Sequence, residues 1–370
     1  MGPGIKNQNT SEGGFELQFQ DQSSISKNTP PLPPLVADDA NFFVRNARKV
    51  YHPIGFRKGY NFSFWFICCG AMLGFCAARA MFLDIEGVFF ESTLLAEKYW
   101  YSNFSLYRIG ITIHLACVVP AGILVFFQFM PIIRYKALYL HRINGYLIIL
   151  LILIANAGAL MIARRAFGGG VETQAVVYLL ATMTTTSLLL GYFNIKKLQI
   201  EQHRKWMIRA WAYLGVIITM RFMMLIAATI INQMGSYWMG VTCGELEFGF
   251  IDGNNTLAAE TAFRARYPGC IDSKGMILSD KNIAIQGLTD GRVEEAGVGY
   301  KLGFGMAAWV CLVLHAVLAE VYLALTSRET ERLRMVSYEK QKARGWANPG
   351  REGLTADRID GVPWVPRQTE

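Results

Sequence analysis

Tyr139-Leu140-His141-Arg142-Ile143-Asn144-Gly145-Tyr146 opens an apolar run that continues to Ala163. A run of about 20 such residues is what one helix needs to cross the hydrocarbon of a bilayer. The same grammar returns at Gln202-His203-Arg204-Lys205-Trp206-Met207-Ile208-Arg209, where a basic loop and a His-Arg pair precede an apolar segment reaching Ile231. Each pair stands in a hairpin of two apolar runs. Two related hairpins therefore bring two histidine-bearing helices in from one side.

Working outward, six apolar runs are long enough to span: Phe62 to Leu83, Ile109 to Ile133, Ile143 to Ala163, Ala175 to Phe193, Trp206 to Ile231 and Leu302 to Leu325. With 52% hydrophobic residues in 370, they predict an all-α integral membrane bundle of six transmembrane helices with a long lumenal loop. The expected organisation is a disordered cytosolic arm over 1–50, five helices over 51–232, the lumenal loop over 233–300, the sixth helix over 301–326 and a charged cytosolic tail over 327–370. The arm is polar, ends in Pro30-Pro31-Leu32-Pro33-Pro34 and has no apolar core of a signal peptide.

A net charge of +8 would point to nucleic acid in a soluble chain. Here the basic clusters precede the first run, divide the second from the third and the fourth from the fifth, and follow the sixth. All four fall on one side of the bundle. By the positive-inside rule that side is cytosolic, both termini face the cytosol, and the expected partner is the lipid bilayer rather than nucleic acid. The expected location is the endoplasmic reticulum. Cys68, Cys69, Cys76, Cys117 and Cys311 lie inside apolar runs, which leaves Cys243 and Cys270 in the loop assigned to the oxidising side. One disulfide is predicted between them. The sequons at Asn103 and Asn254 also fall on that side and are candidate glycosylation sites.

Ionisable residues inside spanning segments are costly to bury and are functional candidates by default. His141 and His203 share a depth, and paired imidazoles can relay a proton or ligate a haem iron. The bland reading has each His-Arg pair gripping lipid headgroups. His114 and Arg221 lie in the lumenal half, where a satisfied core histidine and a structural ion pair with a loop acid are the competing readings. Glu320 is a candidate acid if hydrocarbon keeps it protonated, set against snorkelling to the nearby interface. The Tyr99-Trp100-Tyr101 triplet reads as an interfacial aromatic belt. No acidic metal cluster, phosphate-cradling glycine loop, nucleophile elbow or Cys-x-x-Cys occurs, so no metal site is expected.

His114, Gln128-Phe129, Pro131, Arg134, His141-Arg142-x-x-Gly145, His203-Arg204-x-Trp206-Met207-x-Arg209 and Arg221 together resemble a family of bacterial and fungal polytopic membrane proteins catalogued as a domain of unknown function. The resemblance covers roughly His114 to Arg221. Among fungal members it extends to membrane-bound terpene cyclases of meroterpenoid pathways, that of ascofuranone among them. It implies acid-assisted opening of an epoxidised prenyl chain and closure of a cyclic ether on a small lipophilic prenylated aromatic substrate, in secondary metabolism and without a cofactor. His114, His141, His203, Arg221 and Glu320 are the candidate catalytic residues, and a pathway epoxidase and oxidases are candidate partners. Two alternatives come from other classes: a haem b membrane cytochrome with His141 and His203 as ligands, and a transporter-like protein that binds lipid or an anionic solute.

Overall fold

A computed structural model describes residues 42–251, 257–358 and 364–366. The chain divides into a unit ending at Lys49 and a unit from Val50 onward. Of the predicted arm, residues 1–41 lie outside the described residues, and the helix α1 (Phe42–Tyr51) follows them. The larger unit is an all-α membrane bundle with six helical spans, as the apolar runs predict.

The spans are α2 (Gly59–Arg79), α4 (Ser105–Gln128), α6 (Leu138–Ile162), α7 (Val171–Lys196), the broken pair α8 (Ile200–Leu214) and α9 (Val216–Met234), and α12 (Val293–Leu325). Between α2 and α4 lies the short helix α3 (Leu95–Asn103), and α5 (Pro131–Lys136) links α4 to α6. The two short connections, 129–137 and 197–199, define one end of the bundle, the hairpin end. The opposite end carries α3, the turn at 163–170 and the segment 235–292, and is the cap end. Large apolar side chains such as Leu150, Val313 and Val317 remain more than half exposed. In a bundle solvated by lipid that is the expected outer surface rather than a defect.

Without a hydrophobic drive between spans, close approach of small residues holds such helices together. A Cβ on Gly158 of α6 would lie 2.7 Å from the Gly110 carbonyl and 2.8 Å from the His114 amide of α4. Both neighbours are backbone and cannot step aside, so Gly158→Ala is expected to cost about 1–3 kcal/mol through overpacking. A fall in the melting temperature of the detergent-purified variant checks this. Polar contacts add to the packing: the Asn156 amide donates to Thr184 and Thr185 of α7, each at 3.0 Å.

The fifth span breaks at Gly215, and His315 of α12 explains how the break is tolerated. Its Nδ1 donates at 2.6 Å to the Ala212 carbonyl, and its Nε2 lies 3.0 Å from Thr219 Oγ1 on the far side of the break. His315 thus bridges α8 and α9.

The segment read from sequence as a long lumenal loop has its own core. The strands β1 (Trp238–Thr242) and β2 (Asn282–Gln286) pair antiparallel, while α10 (Cys243–Ile251) and α11 (Leu257–Arg266) pack beside them. Val241, Leu246, Phe263, Tyr267, Ile285 and Val298 form a buried cluster around Cys243 and Cys270, which are bonded to each other. The sixth span also begins at Val293 rather than near 301. Glu295 accepts from the Arg292 backbone amide at 2.9 Å, capping the helix start. Lys301 lies inside it because its ammonium pairs with Glu245 of α10, both side chains being under a tenth exposed.

The tail is folded as well. Helix α13 (Ser327–Ala343) docks on the turn between α7 and α8 through buried polar groups. Gln341 donates to Gln199 and to the Lys197 carbonyl, each at 2.8 Å. Ser337 donates to Glu201 and accepts from the Ile200 amide, again at 2.8 Å. Leaving such partners unsatisfied costs about 1–3 kcal/mol. Gln341→Ala is expected to release the tail, read as faster tryptic cleavage around Arg344.

Candidate functional site

The cap end assembles a buried carboxyl that sequence reasoning passed over. Glu97 stands in the first turn of α3, where an acidic side chain complements the helix dipole. It is 8% exposed. The Thr93 hydroxyl donates to Glu97 Oε2 at 2.8 Å, and the Phe167 amide donates to Oε1 at 3.3 Å. Burial pushes its carboxyl above the usual range, against the opposing pull of these two bonds and of the Arg221 and Lys301 charges. No ion pair within contact distance joins Glu97 to either cation among the described residues. Glu97 is therefore a solvent-shielded acid poised near cations without being neutralised by one.

The surroundings of Glu97 are aromatic. Trp100 and Tyr101 follow Glu97 by three and four residues, so the helix turns them to the same face. They are 8% and 1% exposed, so both rings pack against the protein instead of forming the exposed belt read from sequence. Tyr99 instead reaches the cap, its ring 5.6 Å from Phe248. The Phe167 ring stacks on Phe304 of α12 at 3.9 Å, and the Arg165 guanidinium lies 3.5 Å from the Trp100 ring.

Phe167 carries the geometry that completes the site. Its φ of 47° is left-handed, a conformation that bulky side chains rarely adopt. The two glycines that follow also have positive φ, 81° and 66°, so the chain reverses there and presents the Phe167 amide to Glu97. Strain of this kind persists where the surroundings over-determine it, and the stacked Phe304 ring supplies that support.

Of the residues singled out from sequence, Arg221 belongs to this site. Its guanidinium lies 5.0 Å from the Phe167 ring centre, and its Nε is buried without a hydrogen-bond partner among the described residues. His114 serves the α4–α6 crossing, donating Nδ1 to the Ala155 carbonyl at 2.9 Å. Glu320 is held by Arg209 through two bonds of 2.6 and 2.9 Å. A carboxylate in that fork is ion-paired rather than available as an acid. Asn103 is exposed at the cap end, its amide donating to the Tyr99 carbonyl at 2.9 Å. Asn254 lies outside the described residues.

His141 and His203 both stand at the hairpin end, far along the chain from Glu97. Gln128 fixes the first threshold by donating to the His141 carbonyl at 3.1 Å while accepting from Asn144 at 2.9 Å. A Cβ at Gly145 would strike that glutamine amide, which accounts for the glycine. His203 donates Nδ1 to the Gly191 carbonyl at 2.9 Å. The hairpins touch through Tyr146 and Tyr192, ring centres 6.0 Å apart, and through Phe129 and Trp211 at 6.5 Å.

Fold and charge pattern together define a six-span integral membrane protein with polar constellations at both ends of the bundle. The family described as "Predicted membrane protein (DUF2306)" matches residues 111–244, which is the region carrying the motif resemblance. The chain is also 25% identical over 321 residues to "Ava biosynthesis cluster protein G" of Aspergillus versicolor, covering 74% of this chain and 91% of that protein. No solved structure matches.

Proposed function

We propose that this chain is a membrane-bound cyclase of fungal secondary metabolism that opens an epoxide on a prenyl chain and closes a cyclic ether, with Glu97 as the acid. The observation that carries this is the buried Glu97 carboxyl, held by Thr93 and the Phe167 amide, whose proton affinity burial raises. The motif resemblance and the name of the A. versicolor relative, a biosynthesis cluster protein, support the pathway context.

In this reading Glu97 protonates the oxirane oxygen and a carbon–oxygen bond of the ring breaks. A hydroxyl of the same substrate bonds to the released carbon, and its proton returns to the carboxylate. The product is an isomer of the substrate, with no net change in electrons. Arg221 steadies the carboxylate while it is ionised. Microsomes bearing the chain should convert an epoxy-farnesyl phenol into a cyclic ether of equal mass. No product above empty microsomes would sink the proposal. The basic clusters and the disulfide favour an endoplasmic-reticulum orientation with the hairpin end cytosolic and the cap lumenal.

A second reading, the haem b cytochrome, draws on His203. Nδ1 donating to a backbone carbonyl leaves Nε2 free, as metal-bound imidazoles require. A Soret band lost in His203→Ala would carry it, and a colourless purified protein would dismiss it.

A further inference from the structure

Helix α1 is too short to be stable by its own hydrogen bonds. It has ten residues, whereas isolated helices below about 12–15 residues are marginal in water. Phe42, Phe43, Val44, Asn46, Val50 and Tyr51 are second-rank helix formers. Such a helix persists where another phase takes up one of its faces.

The two faces of α1 differ sharply. A rotation of about 100° per residue puts Phe43, Ala47 and Val50 on one side and Arg45, Arg48 and Lys49 on the side directly opposite. Phe43 is 79% exposed and Val50 58%, so the apolar side is uncovered. The helix contains no acidic residue, and its three cations form no ion pair among the described residues.

The C-terminal residue of α1 is fixed in place. Tyr51 is buried, its carbonyl accepts from the Phe56 amide at 3.1 Å, and its ring stacks on Phe62 of α2 with centres 6.0 Å apart. The Ile54 carbonyl accepts from the Ile132 amide of α5 at 3.1 Å, which ties this point to the hairpin end. The first span starts at Gly59, only eight residues after Tyr51. Connectivity alone keeps every residue of α1 within about 15 Å of Tyr51. At that level the bilayer sets acyl chains and charged headgroups side by side, which matches one apolar face backed by one basic face.

We propose that α1 is an in-plane anchor that binds the anionic surface of the bilayer at the hairpin end. Phe43, Ala47 and Val50 enter the acyl boundary, while Arg45, Arg48 and Lys49 meet the acidic headgroups. This surface is independent of Glu97 and of the cyclase reading.

The test is hydrogen exchange, read by mass spectrometry, on the full-length protein in two kinds of nanodisc. One is phosphatidylcholine alone, and the other is phosphatidylcholine mixed equally with phosphatidylserine. The expected result is slow exchange of the α1 amides in the anionic discs and faster exchange in the neutral ones, with high salt narrowing the difference. Arg45→Gln and Arg48→Gln should each lower the protection in anionic discs about fivefold, the worth of one basic residue near such a surface. Phe43→Ser should remove the protection in both compositions. Lys342→Gln, an exposed basic residue of α13, should leave it unchanged. Because α1 lies outside the six spans, none of these variants should lower the melting temperature of the bundle. Four outcomes overturn the proposal. Equal protection in both compositions would put residues 1–41 on the apolar face, and protection found only in discs holding two proteins would put a second copy there. Unprotected amides in both compositions, or an equal loss in Lys342→Gln, would remove the lipid contact altogether.

Discussion

Glu97→Gln is expected to lower the rate of ether formation by about 10²–10⁴-fold, the range that a positioned general acid supplies. Glutamine keeps the size of the side chain; its carbonyl oxygen can accept from the Phe167 amide while its NH2 donates to the Thr93 hydroxyl oxygen, so the fold should survive. The comparison is Glu320→Gln. That carboxylate lies in the Arg209 fork, and its replacement should reduce stability without removing the acid. Equal rate losses in the two variants would refute the assignment of Glu97. Arg221→Met should lower the rate less than Glu97→Gln, since Arg221 acts on the carboxyl from a distance.

The second large effect concerns the ion pair that ties the cap to the sixth span. Lys301 and Glu245 are 5% and 7% exposed at the side chain. Removing one member of a buried pair leaves an uncompensated charge and costs about 3–5 kcal/mol. Glu245→Gln should therefore destabilise the protein by that amount, whereas the double variant Glu245→Gln, Lys301→Met should recover most of the loss. The melting temperatures of the three proteins test this, and an additive double variant would contradict it. Because Lys301 also acts on Glu97, the double variant should alter the pH dependence of turnover while keeping the fold.

The spans were legible because hydrocarbon imposes a length and an apolar composition on each, and the basic clusters reveal which ends lie together. The thresholds were legible as a repeated His-Arg pattern. The cap was not, because its helices are short and amphipathic over only two or three turns, and its core draws on residues from Val241 to Val298. Glu97 escaped notice for a related reason. Its burial is made by α3, by the turn at Phe167 and by Phe304 of α12, elements far apart in the chain. The local signal was present in the spacing of Glu97, Trp100 and Tyr101, which a helix places on one face. The tail reads only as a charged segment, and its docking was not legible because it depends on a buried polar set from two distant stretches: Gln341 bonds to Gln199, and both Gln199 and Ser337 bond to Glu201.

The pH dependence of turnover by the purified protein, supplied with an epoxy-farnesyl phenol, tests the central claim most directly. The folded protein favours the protonated Glu97, so that contribution is fully present below the ordinary carboxylate range and is lost as pH rises through the raised value. The predicted result is a product isomeric with the substrate, formed at a steady rate at low pH and falling with one proton as pH rises, with that limb absent from the residual activity of Glu97→Gln. A rate that climbs through the same interval, or a limb that persists in the variant, would contradict Glu97 as the acid.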